Sequence, residues 1–178
     1  MLPTLETRRL ILRPPTGADF EAFAAFAADD QAAFFLGGPQ SRPLAWRMWS
    51  AIAGAWLLNG YSMFSFIEKE SGRWIGRGGP WQPDGWPGTE VGWGIIPQAQ
   101  RQSYAKEAAT AAIDWAFEHL GWSEVIHCIA PENAASIATA KSVGSALLRT
   151  GVKAPPPLDA VWDIYGQTRA DWKAARNR

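Results

Sequence analysis

The segment Gln100-Arg101-Gln102-Ser103-Tyr104-Ala105 carries the most chemical information in this chain. It follows a short apolar run, Glu90-Val91-Gly92-Trp93-Gly94-Ile95-Ile96, that stops at Pro97, and it opens into an alanine-rich stretch with helical periodicity. A strand ending in a loop that leads straight into a helix points several unpaired backbone N–H groups, and the positive end of the helix dipole, at one spot. Such a spot holds an anion, most often a phosphate. Other phosphate loops fail on sequence. No Gly-x-x-x-x-Gly-Lys-Ser/Thr is present, and Gly92 and Gly94 lack the third glycine of a dinucleotide fingerprint and lie inside the strand. His-Glu-x-x-His and Gly-x-Ser-x-Gly are also missing, so zinc hydrolysis and serine acyl transfer have no visible machinery. His119, at a helix end, and His127, in a strand, read as ordinary packed or surface histidines.

The elements that must position this loop follow from periodicity. Leu10 to Arg13 is a short strand closed by Pro14-Pro15, and Thr16 with Asp19 forms a capping box before a helix carrying Phe20, Phe23, Ala24 and Ala27. A second helix, Pro43 to Leu58, places Trp46, Trp49, Ala53 and Trp56 on one side and ends at Gly60. Tyr61 to Glu68 and Arg73 to Gly78 are strands around a turn at Lys69 to Gly72, and Trp81 to Gly88 is a loop. Ala105 to Leu120 is the clearest helix, with Ala108, Ala109, Ala112, Ala116, Phe117 and Leu120 inward and Gly121 as its stop. Glu124 to Ala130 is a strand that should run parallel to the Glu90 strand through a right-handed crossover. A helix from Ala134 to Val143 and a final antiparallel pair follow, Ser145 to Thr150 and Ala160 to Gln167, separated by a loop holding Pro155-Pro156-Pro157. The fold class is α+β: a mixed sheet with helices on both faces, built around one parallel strand–helix–strand unit.

Bulk properties narrow the function. The 178 residues suit one ordinary domain, 1–178, and a hydrophobic content of 47% with 19% charged residues belongs to a globular chain. Zero net charge gives no overall pull toward nucleic acid or anionic lipid. A single cysteine, Cys128, excludes an internal disulfide, and Cys/His spacing of the metal-binding kind is missing, so no metal is expected. Met1 to Arg9 has no apolar signal core and no run could span a bilayer, so a cytoplasmic location is expected, as monomer or homodimer. Eleven tryptophans exceed ordinary usage; packing accounts for most, and several together in a groove would bind a flat or apolar acceptor.

The residue order resembles the GCN5-related N-acetyltransferases (GNAT), and within them the branch of ribosomal-protein N-terminal acetyltransferases (RimJ/RimL-like). In that family the acetyl-CoA pyrophosphate sits on a Gln/Arg-x-x-Gly-x-Gly/Ala loop. Gln100 and Ala105 match it, and Tyr104-Ala105-Lys106-Glu107-Ala108 is similar to the branch's Tyr-Ala-Thr-Glu-Ala. Ser103 stands where the family usually has glycine. If that position needs positive φ, serine costs on the order of 1 kcal/mol; if it needs only close approach, the hydroxyl adds a donor. Pro131-Glu132-Asn133-Ala134-Ala135-Ser136, with Lys141 and Gly144, resembles the branch's Pro-x-Asn-x-x-Ser...Lys-x-Gly. Leu5 to Arg13 and Thr168 to Trp172 resemble the branch's ends, so the likeness covers nearly the whole chain.

The resemblance implies that acetyl-CoA is the co-substrate, held by Gln100, Arg101, Gln102, Ser103, Tyr104, Ala105 and Lys106, with Asn133 beside the pantetheine arm and Ser136 near its sulfur. It also implies that the Glu90 and Glu124 strands splay, so that N–H and C=O groups of Gly94, Ile95 and Ile96 pair with the cofactor amides as a substitute strand. Taken alone, Asn-x-x-Ser is an ordinary helix cap. The implied reaction is direct attack of a primary amine, a protein N-terminus or a small-molecule amine, on the thioester. An α-amino group has a reference pKa of about 8 against about 10.4 for lysine, which makes its free base about 3 kcal/mol cheaper at neutral pH. Glu90 is the candidate base, with an edge-strand surface charge as the plain alternative. A backbone N–H near Ile95 would stabilise the oxyanion, and Ser136 would assist thiolate departure. The tyrosine acid of many GNAT enzymes is replaced by Ala140. The segment Phe34 to Trp56, with Trp81 and Trp86, is expected to recognise the acceptor, with Asp29 and Asp30 at its edge and Asp84 in the loop opposite. The alternative is a catalytically weak or inactive GNAT-fold module that binds acyl-CoA as a sensor or interaction domain.

Overall fold

The computed structural model describes residues 2–156 and 158–176; Pro157 of the anticipated three-proline loop, like Met1, Asn177 and Arg178, lies outside the described residues. Leu10-Ile11-Leu12-Arg13 alternates buried and half-buried positions, the mark of a strand with one face inward. It forms β2 (Leu10–Arg13) beside a two-residue β1 (Leu5–Glu6). The Thr16/Asp19 capping box forms and leads through a 3-10 turn into α1 (Phe20–Ala28). A short α2 (Asp30–Ala33), capped by Asp29, precedes α3 (Arg42–Asn59). Strands β3 (Phe64–Glu68), β4 (Trp74–Trp81) and β5 (Glu90–Ile95) come next, then α4 (Tyr104–His119), β6 (Glu124–Ile129) and α5 (Ala134–Ser142). β7 (Ala146–Lys153), β8 (Val161–Thr168) and α6 (Arg169–Arg176) close the chain.

The eight strands form one sheet in the order β1-β2-β3-β4-β5-β6-β8-β7, antiparallel except for the β5/β6 pair. This is the expected mixed α+β sheet with one parallel crossover. Helix α4 lies on one face, where Ala108 packs with Leu10, Leu12, Phe64 and Ile75, and Ala109 to Phe117 pack with Val91 and Val125. Alanines let this helix sit close to the sheet. On the other face α1 and α3 cover Ile67, Trp74 and Met63 with Phe23, Phe26 and Trp49. Glu107 ties the start of the sheet to α4: its carboxylate accepts from Thr7 Oγ1 (2.6 Å), Arg9 N (2.7 Å) and Arg9 Nε (2.7 Å).

Three expectations are corrected. The buried stripe of α3 is Ala45, Trp49, Ile52 and Trp56, whereas Trp46 is 53% exposed and Ala53 is also exposed. The tryptophan spacing alone mislocated the face, because Trp46 packs edge-on against Phe20 at the rim (4.8 Å). Strand β4 runs three residues past Gly78 to Trp81, since Gly79, Pro80 and Trp81 keep pairing with Gly92, Val91 and Glu90. Strand β1 and helix α6 were not anticipated; the one buried side chain of α6 is Trp172, whose Nε1 donates to Asp114 Oδ1 at 2.8 Å.

Candidate functional site

The site begins where β5 and β6 part. Their only registered pair is Glu90 with Ile126. In a continued parallel ladder Cys128 N–H would bond to the Val91 carbonyl. Instead, Cys128 N–H donates to Glu90 Oε1 (3.1 Å), and the Val91 carbonyl accepts from His127 Nδ1–H (2.7 Å). The two main-chain groups orphaned by the splay are thus satisfied by side chains. A carbonyl can only accept, so the proton of neutral His127 sits on Nδ1. Its Nε2 accepts from Ser145 Oγ–H (2.9 Å), and Gln167 Nε2 donates to Ser145 Oγ (3.0 Å) and to the Val143 carbonyl (2.9 Å). Burial pulls the His127 pKa down to about 4. His127 is therefore the packed histidine that its strand position suggested.

Glu90 is not a surface charge. It is 6% exposed, and its second oxygen accepts from Trp86 Nε1–H at 2.6 Å. Burial pushes its pKa up to about 7, against the lowering effects of the Cys128 and Trp86 donors and of the Arg77 charge. A carboxyl that titrates near neutrality inside a cleft suits a proton acceptor. Burial likewise pushes the Cys128 thiol well above the ordinary cysteine range, so no thiolate forms there at neutral pH.

Strand alternation decides which groups face the gap. The Ile96 N–H donates to the Ile75 carbonyl (3.0 Å), and the Gly94 carbonyl points at β4, where a Cβ added to Gly76 would meet it at 2.3 Å. The expected substitute strand from Gly94 to Ile96 is therefore corrected: Gly94 and Ile96 are spent on β4, and Trp93 and Ile95 turn toward the gap. The Ile95 carbonyl accepts from Gln100 Nε2 (3.1 Å), which leaves its N–H facing the opening.

The loop into α4 leaves a run of main-chain donors open. Among the described residues, the N–H groups of Arg101, Gln102, Ser103, Tyr104, Ala105 and Lys106 meet no protein acceptor, and Glu107 N–H to the Ser103 carbonyl (3.0 Å) is the first bond of the helix. Arg101, Gln102, Ser103 and Lys106 are exposed. Arg101 (φ 61°) and Ser103 (φ 63°) both adopt the left-handed conformation, so the position where the resemblance calls for glycine does need positive φ. Side chains of this segment contribute unevenly. Gln100 turns back to pin the loop, and the ring of Tyr104 is buried, its hydroxyl donating to Glu68 Oε1 (2.6 Å) with the Arg9 guanidinium 4.2 Å over the ring. Tyr104 can offer the site only its main chain. The tyrosine–core packing has no signature in the loop motif.

A cavity of about 310 Å³ adjoins the splay and brings Glu90, Trp93 and Ser136 together with Trp81 and Trp86. Asn133 caps α5, its Oδ1 accepting from Ser136 N–H at 3.1 Å, and so sets the Ser136 side chain at the cavity edge. From the expected acceptor segment, Phe35, Leu36, Met48 and Ile52 line the cavity, but Trp46 and Trp49 do not. Lining residues that escaped the sequence reading include Arg77, Asp159 and Trp162. Only Arg77 had a signal there, a lone charge inside the apolar, glycine-flanked run Ile75-Gly76-Arg77-Gly78. Among the described residues, no helix is long and apolar enough to cross a membrane.

Comparison with known proteins agrees with this geometry. Residues 9–146 match the family model described as an acetyltransferase (GNAT) domain. The chain is 31% identical over 149 residues to the uncharacterized N-acetyltransferase YoaA of Bacillus subtilis, covering 76% of this chain and 78% of that protein. It is 33% identical over 78 residues to the uncharacterized N-acetyltransferase YnaD of the same organism, where the match spans 43% of this chain and only 45% of the relative. Among solved structures, an acetyltransferase from Agrobacterium tumefaciens str. C58 superposes with a TM-score of 0.84 at 31% identity, covering 95% of this chain and 96% of that one.

Proposed function

The chain belongs to the GNAT acetyltransferase family, and from that premise we propose that it is an acetyl-CoA-dependent N-acetyltransferase acting on an α-amine or other small primary amine, of the RimJ/RimL-like branch, with residues 1–178 forming one catalytic domain. The observation that carries the reading is the run of six open N–H groups from Arg101 to Lys106 at the head of a 16-residue helix. Aligned amides with a helix dipole behind them bind a diphosphate without a dedicated cationic cage. Lys106, beside Ser103 on the same surface, adds a positive charge.

Bound acetyl-CoA supplies an activated acetyl group: the amine nitrogen attacks the thioester carbonyl, the N–C bond forms as the C–S bond breaks, and the departing sulfur takes up a proton. The residues of the chain serve that exchange in distinct ways. Glu90, with a pKa near 7, accepts the proton that the attacking ammonium must lose, directly or through a water. The Ile95 N–H faces the place where negative charge grows on the carbonyl oxygen, and Ser136 donates its hydroxyl proton toward the leaving sulfur. Ala140, buried at the position of the tyrosine acid of many relatives, offers no proton, which leaves that task to Ser136 or to water. Because the Cys128 thiol stays protonated, direct attack is favoured over an acyl-cysteine route.

Release of free thiol from acetyl-CoA, measured across peptide N-termini and small amines, tests this reading. Turnover with α-amines supports it. Calorimetric CoA binding with no thiol release across the panel would move the assignment to a non-catalytic acyl-CoA-binding module, which the strained Ser103 and the absent tyrosine acid favour. Failure to bind CoA would remove both.

A further inference from the structure

The proposed acceptor cavity contains a cation with no carboxylate partner among the described residues. Arg77 rises from the middle of β4, is 8% exposed, and lines the same cavity as Glu90. Its Nε is buried without a hydrogen-bond partner, and the one polar contact of the guanidinium among the described residues is Nη1 against the thioether sulfur of Met63. No ion pair joins Arg77 to Glu90 among the described residues, and the two Glu90 oxygens are already engaged by Trp86 and Cys128. The two groups nonetheless share one face of the sheet. Arg77 pairs in register with Gly94, and Glu90 with Trp81, so four residues of strand, about 13 Å between Cα positions, separate them along that face. Between them lies Gly92, where a Cβ would sit 3.5 Å from Glu90 Oε1 and 3.6 Å from Met63 Cε. The Glu90 carboxyl and the Met63 methyl thus lie over Gly92, and the Met63 thioether touches the cation as well.

A buried guanidinium with unmet donors is a costly arrangement unless an anion completes it, and its planar fork fits a carboxylate through two parallel hydrogen bonds. The cavity volume of about 310 Å³ is at the small end of ligand sites. Its walls are aromatic and thioether-bearing, with Trp81, Trp86, Trp162 and Met48 among them. Such a space takes one apolar residue-sized molecule rather than a folded or extended chain end. We propose that Arg77 is the anion anchor of this cavity and that the acceptor is a free amino acid with an apolar side chain, its carboxylate on Arg77 and its amino group toward Glu90. This assignment rests on the acetyltransferase reading for the chemistry at the amine, but the anion site stands on its own contacts.

Equilibrium binding of product-like probes tests the anchor without turnover. N-acetyl-phenylalanine and N-acetyl-leucine are titrated against their carboxamides on the CoA-mixed protein and on the protein alone, with an N-acetyl-aspartyl dipeptide amide as a third probe. Both carboxylates are expected to bind at least tenfold more tightly than their carboxamides, and Arg77→Gln to bring the affinities together. Affinities equal within twofold on the unsubstituted protein overturn the proposal, whether or not Arg77→Gln folds. A preference residing with the aspartyl peptide overturns the free-amino-acid assignment in favour of a peptide end with a side-chain carboxylate. Absence of thiol release with every amine would remove the acetyltransferase reading while leaving the carboxylate preference measurable, so the two can fail separately.

Discussion

Replacing Glu90 by glutamine should reshape the dependence of stability on pH, and the sign follows from two buried groups at the splay, Glu90 and His127. In the folded chain Glu90 keeps its proton up to about pH 7, against an ordinary value of 4.5. Between those values the folded state binds the extra proton, so stability falls as pH rises, by about 3 kcal/mol in all. His127 acts in the opposite sense. Its folded pKa of about 4 lies below the ordinary 6.5, so the unfolded chain protonates first and stability falls as pH drops through that window, also by about 3 kcal/mol. From pH 4.5 to 6.5 the two slopes oppose each other, and the unsubstituted protein is nearly level with respect to them. Glu90→Gln removes one slope and uncovers the other. Arg77, lowered by burial only to about 10, titrates above the range. Glutamine cannot accept from both Trp86 and Cys128 as the carboxylate does, which adds a constant offset; the pH dependence is the readout. Urea unfolding at half-unit steps from pH 4.5 to 8 should show the variant gaining about 3 kcal/mol relative to the parent across the series. Carboxylates common to both proteins, such as Asp19 and Glu107, cancel in the difference. A difference curve level within about 0.5 kcal/mol would refute a proton-holding Glu90 and, with it, the proposed base.

Three further outcomes are expected. Ser103→Gly should raise stability by up to about 1 kcal/mol, the relief of a left-handed serine less the greater freedom of glycine in the unfolded chain, whereas Ser103→Ala should give no gain; a lower melting temperature for the glycine variant contradicts the strain. Ser136→Ala should lower kcat about tenfold while CoA affinity, followed by calorimetry, changes far less; equal turnover removes the role of that hydroxyl. Glu107→Ala should cost about 2 kcal/mol, because it strands the donors at Thr7 and Arg9, and chemical denaturation would detect a smaller loss.

What could be read in advance was whatever depends on local pattern. The strand–loop–helix from Glu90 to His119, the capping box at Thr16 and Asp19, and the parallel crossover all follow from spacing along the chain, and all are present. Side-chain direction across long sequence distances was not legible. Tyr104 belongs to the core because Glu68 and Arg9, 36 and 95 positions away, meet it there. The corrected α3 face and the strand parity at Gly94 and Ile96 fail for the same reason, since both depend on what the opposite element offers. Arg77 was visible as a charge in an apolar strand, but only the fold reveals that no carboxylate among the described residues bonds to it. Trp162 and Asp159 enter the cavity from the far end of the chain, beyond the reach of any local motif.

Glu90 and His127, each holding a main-chain group of the opposite strand, act as a permanent wedge in the sheet. Re-zipping Cys128 onto Val91 would displace two buried side chains and strand the Ser145–Gln167 chain behind them. Closing the gap would therefore cost the hydrogen bonds of Glu90 to Cys128 and of His127 to Val91, so the chain's own side chains hold the two strands apart. Capture then depends on diffusion into a standing opening rather than on waiting for strands to part. Amide hydrogen exchange at Cys128, already bonded to Glu90, should accordingly be almost the same with and without CoA.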